Sequence, residues 1–101
     1  MLQDLLQRLE ERIEPEIAQA ISGSYELRFV GEDLRGYLDF NGAAPWVSTT
    51  TPSGKYCSLG LHLEDLADLL EGRVNLKVLF STGRLRVFGD VGEAMKLENL
   101  F

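Results

Sequence analysis

The chain has 101 residues, 45% hydrophobic and 26% charged, with a formal net charge of −6. That length fits one domain spanning residues 1–101, and folding would hide roughly 65% of the surface that the unfolded chain exposes. The acidic balance argues against nucleic acid as a partner, the single Cys57 excludes an internal disulfide, and no apolar run approaches the length of a membrane-spanning helix.

In chain order, Leu2, Leu5, Leu6, Leu9, Ile13, Ile17 and Ala20 fall on one helical stripe, about 120° wide. Pro15 should kink that helix or start a second one. Ser22 and Gly23 end it. Tyr25, Leu27 and Phe29 then alternate with Glu26 and Arg28, and Leu34, Gly36, Leu38 and Phe40 alternate with Arg35, Tyr37 and Asp39. Joined by a turn at Glu32 and Asp33, these runs predict a hairpin of two half-buried strands.

Residues Asn41 to Pro45 read as a loop, and Trp46 to Thr51 as a third strand punctuated by Pro52, Ser53 and Gly54. The alternation of Cys57, Leu59 and Leu61 predicts a fourth strand. Leu63 to Glu71 reads as a helix with Glu64 and Asp65 in its first turn, stopped by Gly72. Asn75 caps a short helix through Ser81. Arg84 to Phe88 is the expected fifth strand, and Asp90 with Glu93 caps a last helix. The fold class is therefore α+β: a five-stranded, mostly antiparallel sheet covered by helices.

The last helix carries Val91, Ala94, Met95, Leu97, Leu100 and Phe101 over more than half of its circumference. A helix needs only about a 100° stripe to seat on a core. The surplus implies either a cavity or a dimer contact.

The order Asp65, Asp68, Leu69, Leu70, Gly72, then Gly83, Leu85, Val87, Gly89, Asp90, then Ala94, Met95, Lys96, Leu97 resembles the sterol carrier protein 2 family. The match is strongest over residues 63–101. The resemblance implies a sheet and helices enclosing an apolar tunnel for fatty acid, fatty acyl-CoA, sterol or isoprenoid lipid, without cofactor or covalent chemistry. It also implies that the segment from Asp90 to Phe101 is the tunnel wall. On that basis the expected lining is Leu38, Phe40, Leu59, Leu61, Leu79, Phe80, Val91, Met95, Leu97, Leu100 and Phe101. The chain ends Glu98-Asn99-Leu100-Phe101, which is not a peroxisomal address; with one cysteine and no visible signal peptide, a cytoplasmic location is expected.

Other chemistry is thin. Cys57 and His62 are five apart, so an extended strand turns them to opposite faces, which weakens a nucleophile–base pair and the acyl-CoA hydrolase it would serve. A metal site lacks converging ligands, and no metal is expected. Asp90 competes for the donors that a phosphate would use at Gly89 to Gly92. Glu10, Glu11, Glu14 and Glu16 read as a solvated helix face. The charge is uneven: residues 73–101 hold 5 basic and 3 acidic groups, against 5 and 13 before them. Arg84 and Arg86 from one side of a strand are candidates to hold a lipid carboxylate or a CoA phosphate at a tunnel mouth, the alternative being an exposed strand face. Beyond lipid or acyl-CoA, the expected partners are at most a transient membrane contact and a second copy of the chain, since Leu2, Leu6, Leu9 and Ile13 have coiled-coil spacing; the alternative function is a dimeric interaction module accessory to a lipid-modifying enzyme.

Overall fold

In the computed structural model, which describes residues 1–101, five strands form one sheet in the order β3-β2-β1-β4-β5. They are β1 (Ser24–Phe29), β2 (Leu34–Asp39), β3 (Val47–Ser48), β4 (Cys57–Leu61) and β5 (Arg86–Phe88). The β1–β2, β2–β3 and β4–β5 pairings are antiparallel, whereas β1 and β4 run parallel at the centre. The sheet is thus mixed and mostly antiparallel, as expected.

Register sorts the side chains by face. Tyr25 lies level with Leu38 and Cys57, Leu27 with Gly36 and Leu59, and Phe29 with Leu34 and Leu61. These residues face the helices. The alternate set, Glu26, Arg28, Arg35, Tyr37, Ser58, Gly60, Arg86 and Phe88, faces the other way, because successive strand residues point to opposite sides.

The helices are α1 (Leu2–Arg12), α2 (Pro15–Ile21), α3 (Leu63–Leu70), α4 (Leu76–Ser81) and α5 (Val91–Met95), followed by a 3-10 turn at Lys96–Leu100. Pro15 takes the first position of α2, where its missing N–H costs nothing. Of the residues with coiled-coil spacing, Leu6, Leu9 and Ile13 are buried within the chain and Leu2 is partly buried. This stripe packs α1 on β3 and α3. Gly72 closes α3 with φ +75°, a left-handed geometry that glycine adopts without strain.

Four local expectations are corrected. The third strand shrinks to Val47–Ser48, and the fifth begins at Arg86, leaving Arg84 in the preceding connection. Glu10 is not part of a solvated face: its Oε1 accepts the N–H groups of Trp46 and Val47 at 2.8 and 2.7 Å, anchoring the start of β3.

The fourth correction concerns the C-terminal segment. It is not one helix, because α5 stops at Met95 and tightens into the 3-10 turn. The tighter winding eclipses side chains three apart. Ala94, Leu97 and Leu100 have that spacing, and all three are buried. Much of the apparent apolar surplus of the segment disappears with this change of period.

Candidate functional site

Between sheet and helices lies one contiguous cluster of 23 buried residues. Leu38, Phe40, Leu59, Leu61, Leu79, Leu97 and Leu100 belong to it, and Met95 and Phe101 are partly buried against its edge. Phe80 and Val91 do not belong: they are 40% and 42% exposed, on the solvent side of α4 and at the start of α5. The expected lining positions thus lie mostly within one continuous apolar layer between the sheet and the helices.

The layer is almost purely hydrocarbon. The buried polar residues are Ser24, Glu26, Ser58 and Asp65. By strand register the first three stand on the far side of the sheet. Asp65 is held at the start of α3, where it accepts the His62 N–H at 3.1 Å and the Arg84 Nε–H at 3.1 Å. Trp46 also packs in the cluster and donates its indole N–H to the Gly42 carbonyl at 3.1 Å. Beside it, Pro15, Ala18, Phe40, Ala43 and Ala44 line a concavity of about 330 Å³ at the edge of the layer.

The C-terminal wall of the layer is tied down by a residue that the sequence did not single out. Arg12, at the end of α1, donates through Nη1 to the Leu70 carbonyl at 2.6 Å and through Nε to the Leu100 carbonyl at 2.9 Å. Its guanidinium also lies 5.8 Å from the centre of the Phe101 ring. One cation therefore satisfies two terminal carbonyls and holds the last residues against α1 and α3.

The larger concavity, about 500 Å³, is on the opposite side of the sheet. Arg28, Arg35, Arg84 and Arg86 line it with His62, Val30, Phe88 and Gly60. Arg84 and Arg86 thus come together as expected, but across the sheet from the apolar layer rather than at its mouth. Arg28, Arg35, Gly60 and His62 were not expected here; only the strand register could have gathered them.

Glu26 lies beneath this groove, 3% exposed. It accepts hydrogen bonds from Arg28 Nε at 2.6 Å, Ser58 Oγ at 2.8 Å and Tyr37 Oη at 3.1 Å, and Arg35 Nε is 3.7 Å away. Burial by itself would raise its pKa. The hydrogen bonds from Arg28, Ser58 and Tyr37, with the charge of Arg28, outweigh burial and hold the carboxyl below its ordinary value.

The nucleophile–base pairing gains no support from this geometry. Cys57 faces the helix side and His62 borders the groove. Burial, with Asp90 and Glu93 nearby, pushes the Cys57 thiol up and away from the thiolate form. No three His, Cys, Asp or Glu side chains converge to hold a metal ion. No helix is long and apolar enough to cross a membrane.

Comparison with known proteins gives one consistent picture. Residues 2–101 match the SCP-2 sterol transfer family. Hydroxysteroid dehydrogenase-like protein 2 of Xenopus tropicalis is 26% identical over 101 residues, which is 98% of this chain and 24% of that protein. Sterol carrier protein 2 of Gallus gallus is 29% identical over 70 residues, 69% of this chain and 13% of that protein. The chain therefore spans a quarter or less of the length of these curated relatives. The crystal structure of sterol carrier protein 2 like 2 from Aedes aegypti superposes with a TM-score of 0.77 at 15% identity, covering 99% of this chain and 95% of that one. That likeness shows a shared fold, and the match over nearly the whole sequence shows descent: the chain belongs to the SCP-2 sterol transfer family.

Proposed function

We propose that this chain binds and transfers a lipid by taking its hydrocarbon part between the helices and the sheet, without covalent chemistry. Fatty acid, fatty acyl-CoA, sterol and isoprenoid chains all suit such a site. The observation that carries the reading is the composition of the layer. An inserted chain would meet Leu38, Phe40, Leu59, Leu61, Leu79, Leu97 and Leu100, while Glu26 and Ser58 are screened behind the sheet. Membership of the family supports the same conclusion, and a solution structure of a palmitated SCP2-like 2 protein from Aedes aegypti shares this fold with a TM-score of 0.73.

The energetics suit a broad carrier. Each CH₂ moved from water into the layer contributes roughly 0.8 kcal/mol, so affinity needs few polar contacts. Room must come from displacement of side chains. Helices α2, α3, α4 and α5 have 7, 8, 6 and 5 residues. Isolated helices shorter than ~12 residues are marginal in water, so tertiary packing holds these in place. A hydrocarbon chain that replaces some of that packing shifts them at modest cost. The segment Val91 to Phe101, retained mainly by Arg12 and its own buried leucines, is the wall best suited to move.

Trp46 is the chain's only tryptophan and belongs to the cluster, which provides the test. Bromine-labelled palmitate should quench Trp46 emission saturably, near one equivalent per chain. A flat titration, with unlabelled palmitate also leaving the emission unchanged, would remove the proposal.

A further inference from the structure

On the far side of the sheet, strand register aligns Arg35 with Arg28, Arg28 with Gly60 and Gly60 with Arg86. This is one row across four strands, about 4.8 Å apart. Three of its four positions are arginine. Like charges directly opposite each other destabilise a sheet, so local preference alone does not favour such a row.

The compensation within the chain is incomplete. Glu26 balances Arg28 and Arg35 from below, and Asp65 with Asp68 balances Arg84. The Arg86 side chain forms no ion pair or hydrogen bond in the structure. Four of the chain's ten basic residues gather in this groove, although the net charge of the whole is −6.

The shape is also that of a receptacle. Gly60 supplies no side chain, so the middle of the arginine row is a depression; a Cβ there would already lie 3.4 Å from the Phe88 ring and 3.8 Å from Arg86 Cβ. Phe88 forms one wall, with the Arg28 guanidinium 4.9 Å from its ring centre. That stacking and the bond to Glu26 fix the plane of one guanidinium in advance, so less entropy is lost when it bonds again.

We propose that this groove is an anion site for a phosphoryl group seated over Gly60, held by Arg86 and Arg28 on either side, with Arg35 and Arg84 supporting. Planar guanidinium forks match phosphate oxygens through paired N–H donors. A space of about 500 Å³ is within the range of small-ligand sites, and exceeds what a bare phosphate ion fills. The phosphoryl group belongs either to a soluble phosphate ester or to an anionic phospholipid headgroup, and the two sources share this chemistry. The site goes beyond the lipid-binding reading, because the sheet separates it from the apolar layer.

The test is calorimetric titration of the whole chain in about 0.1 M salt with pyrophosphate, then ADP. Sedimentation with phosphatidylcholine vesicles, with and without one-fifth phosphatidylglycerol, follows. Variants are Arg86→Glu, Gly60→Leu to fill the depression, and Lys55→Glu as an equal charge change elsewhere. Arg86 is exposed and unpaired, so its reversal leaves the fold intact. Binding of the soluble compounds, weakened about tenfold or more by Arg86→Glu and by Gly60→Leu but less than twofold by Lys55→Glu, supports the site with a soluble ester. The same pattern with phosphatidylglycerol vesicles alone supports it with a lipid headgroup. No binding to any probe, or equal losses in Arg86→Glu and Lys55→Glu, overturns it. No fatty acid is present in these measurements, so failure here leaves the apolar layer untouched.

Discussion

The Ser58 hydroxyl donates a 2.8 Å hydrogen bond to Glu26 across the parallel pairing of β4 with β1. That contact sets a buried carboxylate at the centre of the sheet, where Tyr37 and Arg28 also reach it. The folded-state pKa of Glu26 lies below its ordinary value. Such a group adds stability above the unfolded-state pKa and loses it as pH falls through the depressed value. Glu26→Gln should cost about 1–3 kcal/mol at pH 7, the worth of hydrogen bonds to a charged group. The parent should lose that difference below about pH 4.5. Urea midpoints measured from pH 7 to pH 3 check this; a constant gap between parent and variant throughout would show that the carboxylate's charge is not what matters.

Arg12 is expected to act as a latch. Replacing it by Ala removes the donors to the Leu70 and Leu100 carbonyls and should cost about 1–3 kcal/mol. The larger effect should be local: amide exchange should quicken at Lys96 to Phe101 more than in β1, and lipid uptake should become faster. Unchanged protection of that segment would mean that Leu97 and Leu100 alone retain it.

Gly36 marks where α1 comes down on the sheet. A Cβ there would stand 2.9 Å from Leu6 Cδ2. Gly36→Ala should therefore destabilise by ~1–3 kcal/mol through overpacking. Adding Leu6→Val should recover part of the loss, since the two residues are in contact and their effects need not add. Additive losses would show that α1 adjusts without strain.

Leu97 tests the apolar layer itself. Leu97→Ala should cost about 2–5 kcal/mol because the site is fully enclosed. Palmitate should then raise the melting temperature of the variant more than that of the parent, since part of the space is already vacant. An equal or smaller shift would place the hydrocarbon elsewhere.

The strands, caps and stops were largely legible in the sequence, because alternation and capping are local. Asn75 and Asp90 cap their helices as expected by accepting the N–H groups of Val78 and Glu93, while the Glu93 side chain pairs with Lys96 instead of completing a capping box. The parallel β1–β4 pairing was not visible, since nothing local distinguishes a strand that pairs across a long connection. That pairing decides the far side of the sheet, so the burial of Glu26 and the convergence of Arg28, Arg35 and Arg86 stayed hidden. The C-terminal segment departs from expectation for a different reason: Ala94, Leu97 and Leu100 are spaced by three, which suits a 3-10 turn better than a helix of period 3.6. Glu10 and Arg12 were equally opaque, because their partners are backbone atoms far along the chain.

Whether hydrocarbon enters the layer is tested most directly by native mass spectrometry of freshly purified protein, followed by organic extraction. We predict a mass increase from one bound lipid at near-stoichiometric amount, released by extraction and restored by added palmitate. A bare-chain mass that stays bare on addition of fatty acid, acyl-CoA and isoprenoid would contradict it and leave the layer as an ordinary core.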